Sequence, residues 1–226
     1  MKVAIHQPEH LPYLGFIYKM LRSDTFVLLD DVQFQKNGFQ NRNRIKTHQG
    51  SQWLTVPVIH SFGQKINEVK IDNRSSWRRK HLQAFQANYA KAPYFTHYFH
   101  LLEKIYEQEW EDLCDLNIAI IGLIAKEFGI CAKIIRSSSL SKQGEKNELL
   151  LSICKNLKAT SYLSGMGADY LDVALFEKNN VAVEYTHFTH PRYPQLHGEF
   201  AEKMTALDLL MNVGVESTKI LRGASS

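Results

Sequence analysis

KVAIHQPEHLPYLGFIYKMLRSDTFVLLDD, residues 2–31, is the stretch that decides the fold. Lys2 to His6 sets Val3 and Ile5 among small residues, and the run stops at Pro8, which has no N–H to continue a strand ladder. Leu14, Ile17, Tyr18 and Leu21 then recur at helical spacing, behind a Pro12 that a first helical turn tolerates. A helix of about ten residues is expected there. Thr25 to Leu29 is a second β-branched and aromatic run. Strand, helix, strand is a crossover unit whose product is a parallel pair. Ligands in such sheets sit beyond the carboxyl ends of the strands. His6-Gln7-Pro8 and Asp30-Asp31-Val32-Gln33 are therefore expected to face a common crevice.

Further along, Trp53 to Ile59 and Glu68 to Ile71 are strand candidates that can pair as a hairpin across the Gly63 turn. From Ser75 to about Glu127 the pattern is helical, and Pro93 with the acidic cluster Glu109 to Asp112 divides it into three helices. Lys133 to Arg136, Glu145 to Leu157 and Ser161 to Ser164 restore a strand, helix, strand rhythm. Val181 to Tyr185 adds another strand, and Thr205 to Met211 a closing helix that ends near Asn212 to Gly214. The expectation is one α/β domain over residues 1–226. It has a mainly parallel sheet in a Rossmann-like core and a helical insertion at about 75–128.

Composition narrows the function classes. Hydrophobic residues make up 44% and charged residues 22% of the 226, the balance of a globular protein with a core. Lys and Arg number 27 against 23 Asp and Glu, so the net charge of +4 makes no case for nucleic acid and fits an anionic small substrate better. The longest apolar stretch, Leu116 to Ala125, falls short of a membrane span, and MKVAIHQP lacks the features of a signal peptide. A cytoplasmic protein is expected, with oligomer formation left open. Cys114, Cys131 and Cys154 show no C-x-x-C spacing, so neither a disulfide framework nor a zinc cage is expected, only buried or half-buried thiols.

Four constellations can carry chemistry. In the first, two prolines stiffen the turn after His6 and Gln7, and the helix beyond offers free N–H groups to an anion. His6 there is a candidate acid or base, or else a hydrogen-bonded core histidine. The second, DDVQFQKNGFQNRNRIK at 30–46, ends a strand in Asp31, a candidate catalytic carboxylate. It then interleaves Lys36, Arg42 and Arg44 with Asn41 and Asn43, a mixture suited to phosphate oxygens and sugar hydroxyls, although a solvated basic loop, or an Asn-x-Arg alternation on a strand edge, has the same composition. Third, Ser164 and Gly165 open a Ser-Gly-x-Gly turn that can present N–H groups to an anion, or simply turn the chain. The fourth, YTHFTHPRYPQ at 185–195, holds His187 as a catalytic candidate and His190 and Arg192 as candidate ligand contacts. No further metal ligands are marked beside them, so no metal site is expected.

HQPEHLPYLGFIYKM, FVLLDDVQFQKNGFQNRNRIKT, WLTVPV, YLSGMGADYLD, FTHPRYPQ and ALDLLMNVG together resemble the WbqC-like protein family, in order and across almost the whole chain. The resemblance implies a bacterial role in O-antigen or other surface-polysaccharide (lipopolysaccharide) biosynthesis. On that basis a transferase is expected, moving an acyl or aminoacyl group to a nucleotide-linked amino sugar, with that sugar or another phosphorylated small molecule as partner. A more local likeness joins the His6 turn and the later YLSG segment to nucleotidylyltransferase-type folds. It implies an alternative, nucleotidylyl transfer from a nucleoside triphosphate with Mg2+ accompanying the nucleotide. A non-catalytic glycan-intermediate binding module is the remaining alternative.

Overall fold

The computed structural model describes residues 1–166 and 171–224. In chain order the elements open with β1 (Lys2–His6), α1 (Leu14–Leu21) and β2 (Thr25–Leu28). Two small hairpin components follow, β3 (Arg42–Thr47) with β4 (Gly50–Thr55), and β5 (Val58–Ile59) with β6 (Lys70–Ile71). The helices α2 (Trp77–Tyr89), α3 (Phe95–Tyr106) and α4 (Leu113–Glu127) come next. The chain then runs through β7 (Lys133–Arg136), α5 (Lys146–Asn156), β8 (Ser161–Gly165), α6 (Val173–Lys178), β9 (Ala182–Thr186), α7 (Ala206–Val213) and α8 (Ser217–Arg222).

One sheet organises the molecule. Its strands lie in the order β7-β2-β1-β8-β9, and every pairing is parallel. From β1 the chain steps to β2 and later β7 on one side; α5 then carries it across to β8 and β9 on the other. Strand order thus reverses between β1 and β8. As the central strand, β1 is buried on both faces and reads as the apolar run Val3-Ala4-Ile5. Val3 and Ile5 pack with Val27 and with Ile153, Cys154 and Phe176 from α5 and α6, while Ala4, Phe26 and Leu28 pack on α1 and the helices beyond it. Each fully buried Phe or Leu side chain contributes about 1.5–3 kcal/mol by leaving water.

The helical segment resolves into the three expected helices, and their inner faces, Phe85, Leu102 and Ile120 among them, join the same apolar cluster as α1 and α7. Around residues 42–59 the structure takes the strand alternative for the Asn-x-Arg run and departs from the expected Trp53-to-Ile59 strand. Arg42–Thr47 is a strand, and its partner is Gly50–Thr55. Pro57, without an N–H, breaks the expected Trp53-to-Ile59 strand, so only Val58–Ile59 remains to pair with Lys70–Ile71. Cys131 also departs from the expectation: it is exposed just after Gly129, whereas Cys114 and Cys154 are buried, and all three are free thiols. Among the described residues no helix is long and apolar enough to cross a membrane.

Candidate functional site

A crevice of about 560 Å³ opens at the carboxyl ends of β1 and β8, where the strand order reverses. His6 and Gln7 come to it from β1, Ser164 and Gly165 from β8, and Thr186 and Phe188 from the end of β9. Gly15 and Phe16 bring the first turn of α1 to its wall, and with it the positive end of the helix dipole. The Tyr13 ring crosses Gly15 so closely that a Cβ there would lie 2.5 Å from it, and a larger residue at this position would have to displace that ring.

The turn between β1 and α1 is held under strain. Leu11 adopts φ +47°, a left-handed conformation rare for a bulky residue and costing about 1–3 kcal/mol. Its carbonyl accepts a hydrogen bond from Asn43 Nδ2 at 2.9 Å, and the neighbouring His10 N–H donates to the Phe39 carbonyl at 2.8 Å. From α4, Asn117 Nδ2 donates to the carbonyls of Gln40 (2.7 Å) and Pro8 (3.3 Å), and its Oδ1 meets His10 Nδ1 at 3.0 Å. His10 is thus a buried strut; burial first, and His81 second, lower its pKa to about 3.

His6 is different. Its Nδ1 lies 3.0 Å from the Gln7 carbonyl oxygen, an acceptor, so Nδ1 carries the hydrogen and Nε2 the lone pair. No group among the described residues hydrogen-bonds Nε2. Burial, reinforced by Lys19 and only partly offset by the Gln7 carbonyl, lowers the pKa of His6 to about 4, so the ring is neutral at pH 7.

Two further groups beside it were not singled out from the sequence. Lys19, buried near the end of α1, donates from Nζ to the Ile5 carbonyl at 2.8 Å and lines the crevice. Burial lowers its pKa to about 8 against the pull of Glu9. Glu9, also buried, has its Oε1 3.9 Å from His6 Nδ1 and its Oε2 without a hydrogen-bond partner. Burial raises its pKa to about 8, and the Lys19 charge only moderates the rise. The two groups titrate as a buried pair in which each charge favours the other. Burial, then Glu9, also raises the pKa of the Tyr13 phenol. Such clustering of displaced pKa values in a cleft is typical of functional sites.

The other candidates occupy different places. Asp31 is ion-paired with Lys142 and lies outside the crevice lining. Ser137 Oγ is 2.5 Å from Asp31 and 3.0 Å from Asp30, and gives its one hydrogen to one of them. Asp30 accepts from Arg136 Nε, Ser138 N and Ser138 Oγ at 2.7–2.9 Å. Burial pushes the Asp30 pKa up, but these bonds outweigh it and hold the carboxyl below its usual value. The pair thereby locks β2 to the turn after β7.

On the β3–β4 hairpin the pleat separates neighbours. Asn43 points inward to Leu11, with its Oδ1 accepting from Arg44 N at 2.9 Å, while Arg42 and Arg44 point outward over the Trp53 ring, 4.3 and 5.3 Å from its centroid. The guanidinium groups do not line the His6 crevice. Asn41 is a loop strut, donating to the Val56 carbonyl and accepting from Asn37 N. Lys36 lines a smaller cavity of about 270 Å³ with Glu9, Gln35, Phe39 and Gln40. Gln7 borders both cavities, and Gln40 Nε2 donates to its Oε1 at 2.7 Å.

Ser164 and Gly165 stand in the crevice wall; residues 167–170, the rest of their expected turn, lie outside the described residues. His187 is exposed in a separate groove beside Tyr18 and Arg22. His190 is engaged at both nitrogens, Nδ1 with the Pro191 carbonyl and Nε2 accepting from Lys203 N, and burial lowers its pKa. Arg192 lies over Phe200 at 5.6 Å. Among the described residues no three His, Cys, Asp or Glu side chains are grouped so as to hold a metal ion.

A doubly wound parallel sheet with a crevice at its reversal point defines the class: an α/β protein with a mainly parallel five-stranded core sheet. Within that class the chain belongs to the WbqC-like protein family, whose sequence profile matches residues 7–220. A relative in Mycobacterium tuberculosis, an uncharacterized protein, is 37% identical over 226 aligned positions, covering 98% of this chain and 97% of that one. No solved structure is a significant match.

Proposed function

We propose that this protein is a cytoplasmic transferase of bacterial surface-polysaccharide biosynthesis that moves an acyl group to the amine of a nucleotide-linked sugar. The observation that carries the chemistry is His6: a neutral imidazole whose Nδ1–H is spent on a backbone carbonyl and whose Nε2 lone pair is open in the crevice. The sugar amine attacks the carbonyl carbon of an acyl thioester; the C–N bond forms, the C–S bond breaks, and His6 Nε2 takes the amine proton and returns it to the leaving thiolate. Lys19 and the first turn of α1 attract the anionic part of a substrate. Asp31 and His187, held elsewhere, take no part in the proton transfer. The O-antigen setting rests on the family resemblance, and the chemistry on His6.

The test is incubation with a panel of nucleotide-activated amino sugars and acyl thioesters, read by mass spectrometry. Acylated sugar is expected, and His6→Gln should lower kcat about a hundred- to ten-thousandfold with KM little changed. No product from the native protein across the panel would defeat the proposal. Magnesium-dependent pyrophosphate release from a nucleoside triphosphate would instead favour nucleotidylyl transfer.

A further inference from the structure

Arg42 and Arg44 sit two residues apart on one face of β3, both beside the single ring of Trp53. Neither guanidinium has a carboxylate partner or a side-chain hydrogen bond among the described residues, and the buried Nε of each is unpartnered. Two like charges held side by side without a counter-ion repel each other, and no ion pair explains their placement. An anion bridging them removes that cost, and a guanidinium fork suits phosphate oxygens. Residue Trp53 is 42% exposed and Phe39 46%, and their ring centroids lie 6.2 Å apart. Phe39 in turn lines the amide-rich cavity that Gln7 joins to the His6 crevice.

We propose that the β3–β4 hairpin carries a nucleoside diphosphate site: Trp53 and Phe39 stack the base, Arg42 and Arg44 bind the two phosphates, and the attached sugar runs past Gln35 and Gln40 toward His6. Amides donate and accept at once, which matches sugar hydroxyls. Only the destination of the sugar rests on the transferase reading above; the hairpin site stands on its own geometry.

Isothermal titration of the full chain with UDP, GDP, TDP, ADP and inorganic pyrophosphate tests it. At least one nucleoside diphosphate should bind. Arg42→Gln and Arg44→Gln, which remove the guanidinium groups that lie over Trp53 and keep a polar side chain, should each weaken that nucleotide and pyrophosphate roughly tenfold or more. Trp53→Ala should weaken the nucleotide roughly tenfold or more and leave pyrophosphate unchanged. His6→Gln should bind the nucleotide as the native protein does. The site is overturned if no nucleoside diphosphate binds, or if the three hairpin variants bind with native affinity. Transfer that persists while hairpin binding fails removes this site alone; hairpin binding without any transfer removes the transferase reading alone.

Discussion

Lys19→Met separates function from stability. The substitution keeps the unbranched stem and removes a buried ammonium whose pKa has moved from 10.5 to about 8. That displacement means the folded state carries the charge at a cost of about 3 kcal/mol at neutral pH. Against it stands the hydrogen bond to the Ile5 carbonyl at 2.8 Å, whose loss orphans a buried acceptor and costs about 1–3 kcal/mol. At pH 7 the variant should therefore be as stable as the native protein or more so, by up to about 2 kcal/mol. A folded pKa below the unfolded one confers stability that is present above about 10.5 and lost as pH falls toward 8. The advantage of the methionine variant should accordingly vanish by about pH 10 and reverse. Urea denaturation at pH 7 and pH 10 measures both, and turnover should fall because the charge facing the substrate is gone. A variant destabilised by more than about 1 kcal/mol at pH 7, with the same deficit at pH 10, would show that Lys19 carries no desolvation cost.

Two further outcomes follow from the turn and from the edge of the sheet. Asn43→Ala removes the hydrogen bond that pins the strained Leu11 carbonyl and orphans the Arg44 N–H, so stability should drop by about 2–4 kcal/mol, read as a lower urea midpoint with unchanged slope. Asp30, with its folded pKa held below the unfolded value, supplies stability that is present above the ordinary carboxyl range and lost as pH falls through it. Asp30→Asn should flatten the decline in unfolding free energy between about pH 5 and 3, and an unchanged decline would remove Asp30 from the acid response.

How much of this was legible in the sequence depends on how far the cause lies along the chain. β1 and β7 follow from apolar runs bounded by Pro8 and by Ser137-Ser138, local signals that packing merely confirms. The reversal of strand order at β1 has no local signature, because it is set by which distant strands meet. β3 is legible only as one alternative, an Asn-x-Arg alternation on a strand edge, because Asn and Arg at alternate positions show no apolar pattern; its inward asparagine is satisfied by Leu11, some thirty residues away. His6, Gln7, Ser164 and Gly165 were accessible to reasoning because polar residues ending buried strands stand at the crevice by construction. Glu9 and Lys19 were not, since a charged residue ordinarily signals solvent. The available clue was that LGFIYKML is apolar on every side but for one lysine, which leaves that lysine nowhere exposed to go.

The protonation state of His6 is the point on which the chemistry turns, and ring nitrogen chemical shifts of labelled protein followed from pH 3 to 8 measure it without any substrate. A neutral ring throughout pH 5.5–8, hydrogen on Nδ1, and titration near pH 4 are expected. A ring still protonated at pH 7, or hydrogen resident on Nε2, would contradict the assignment of His6 as an open base.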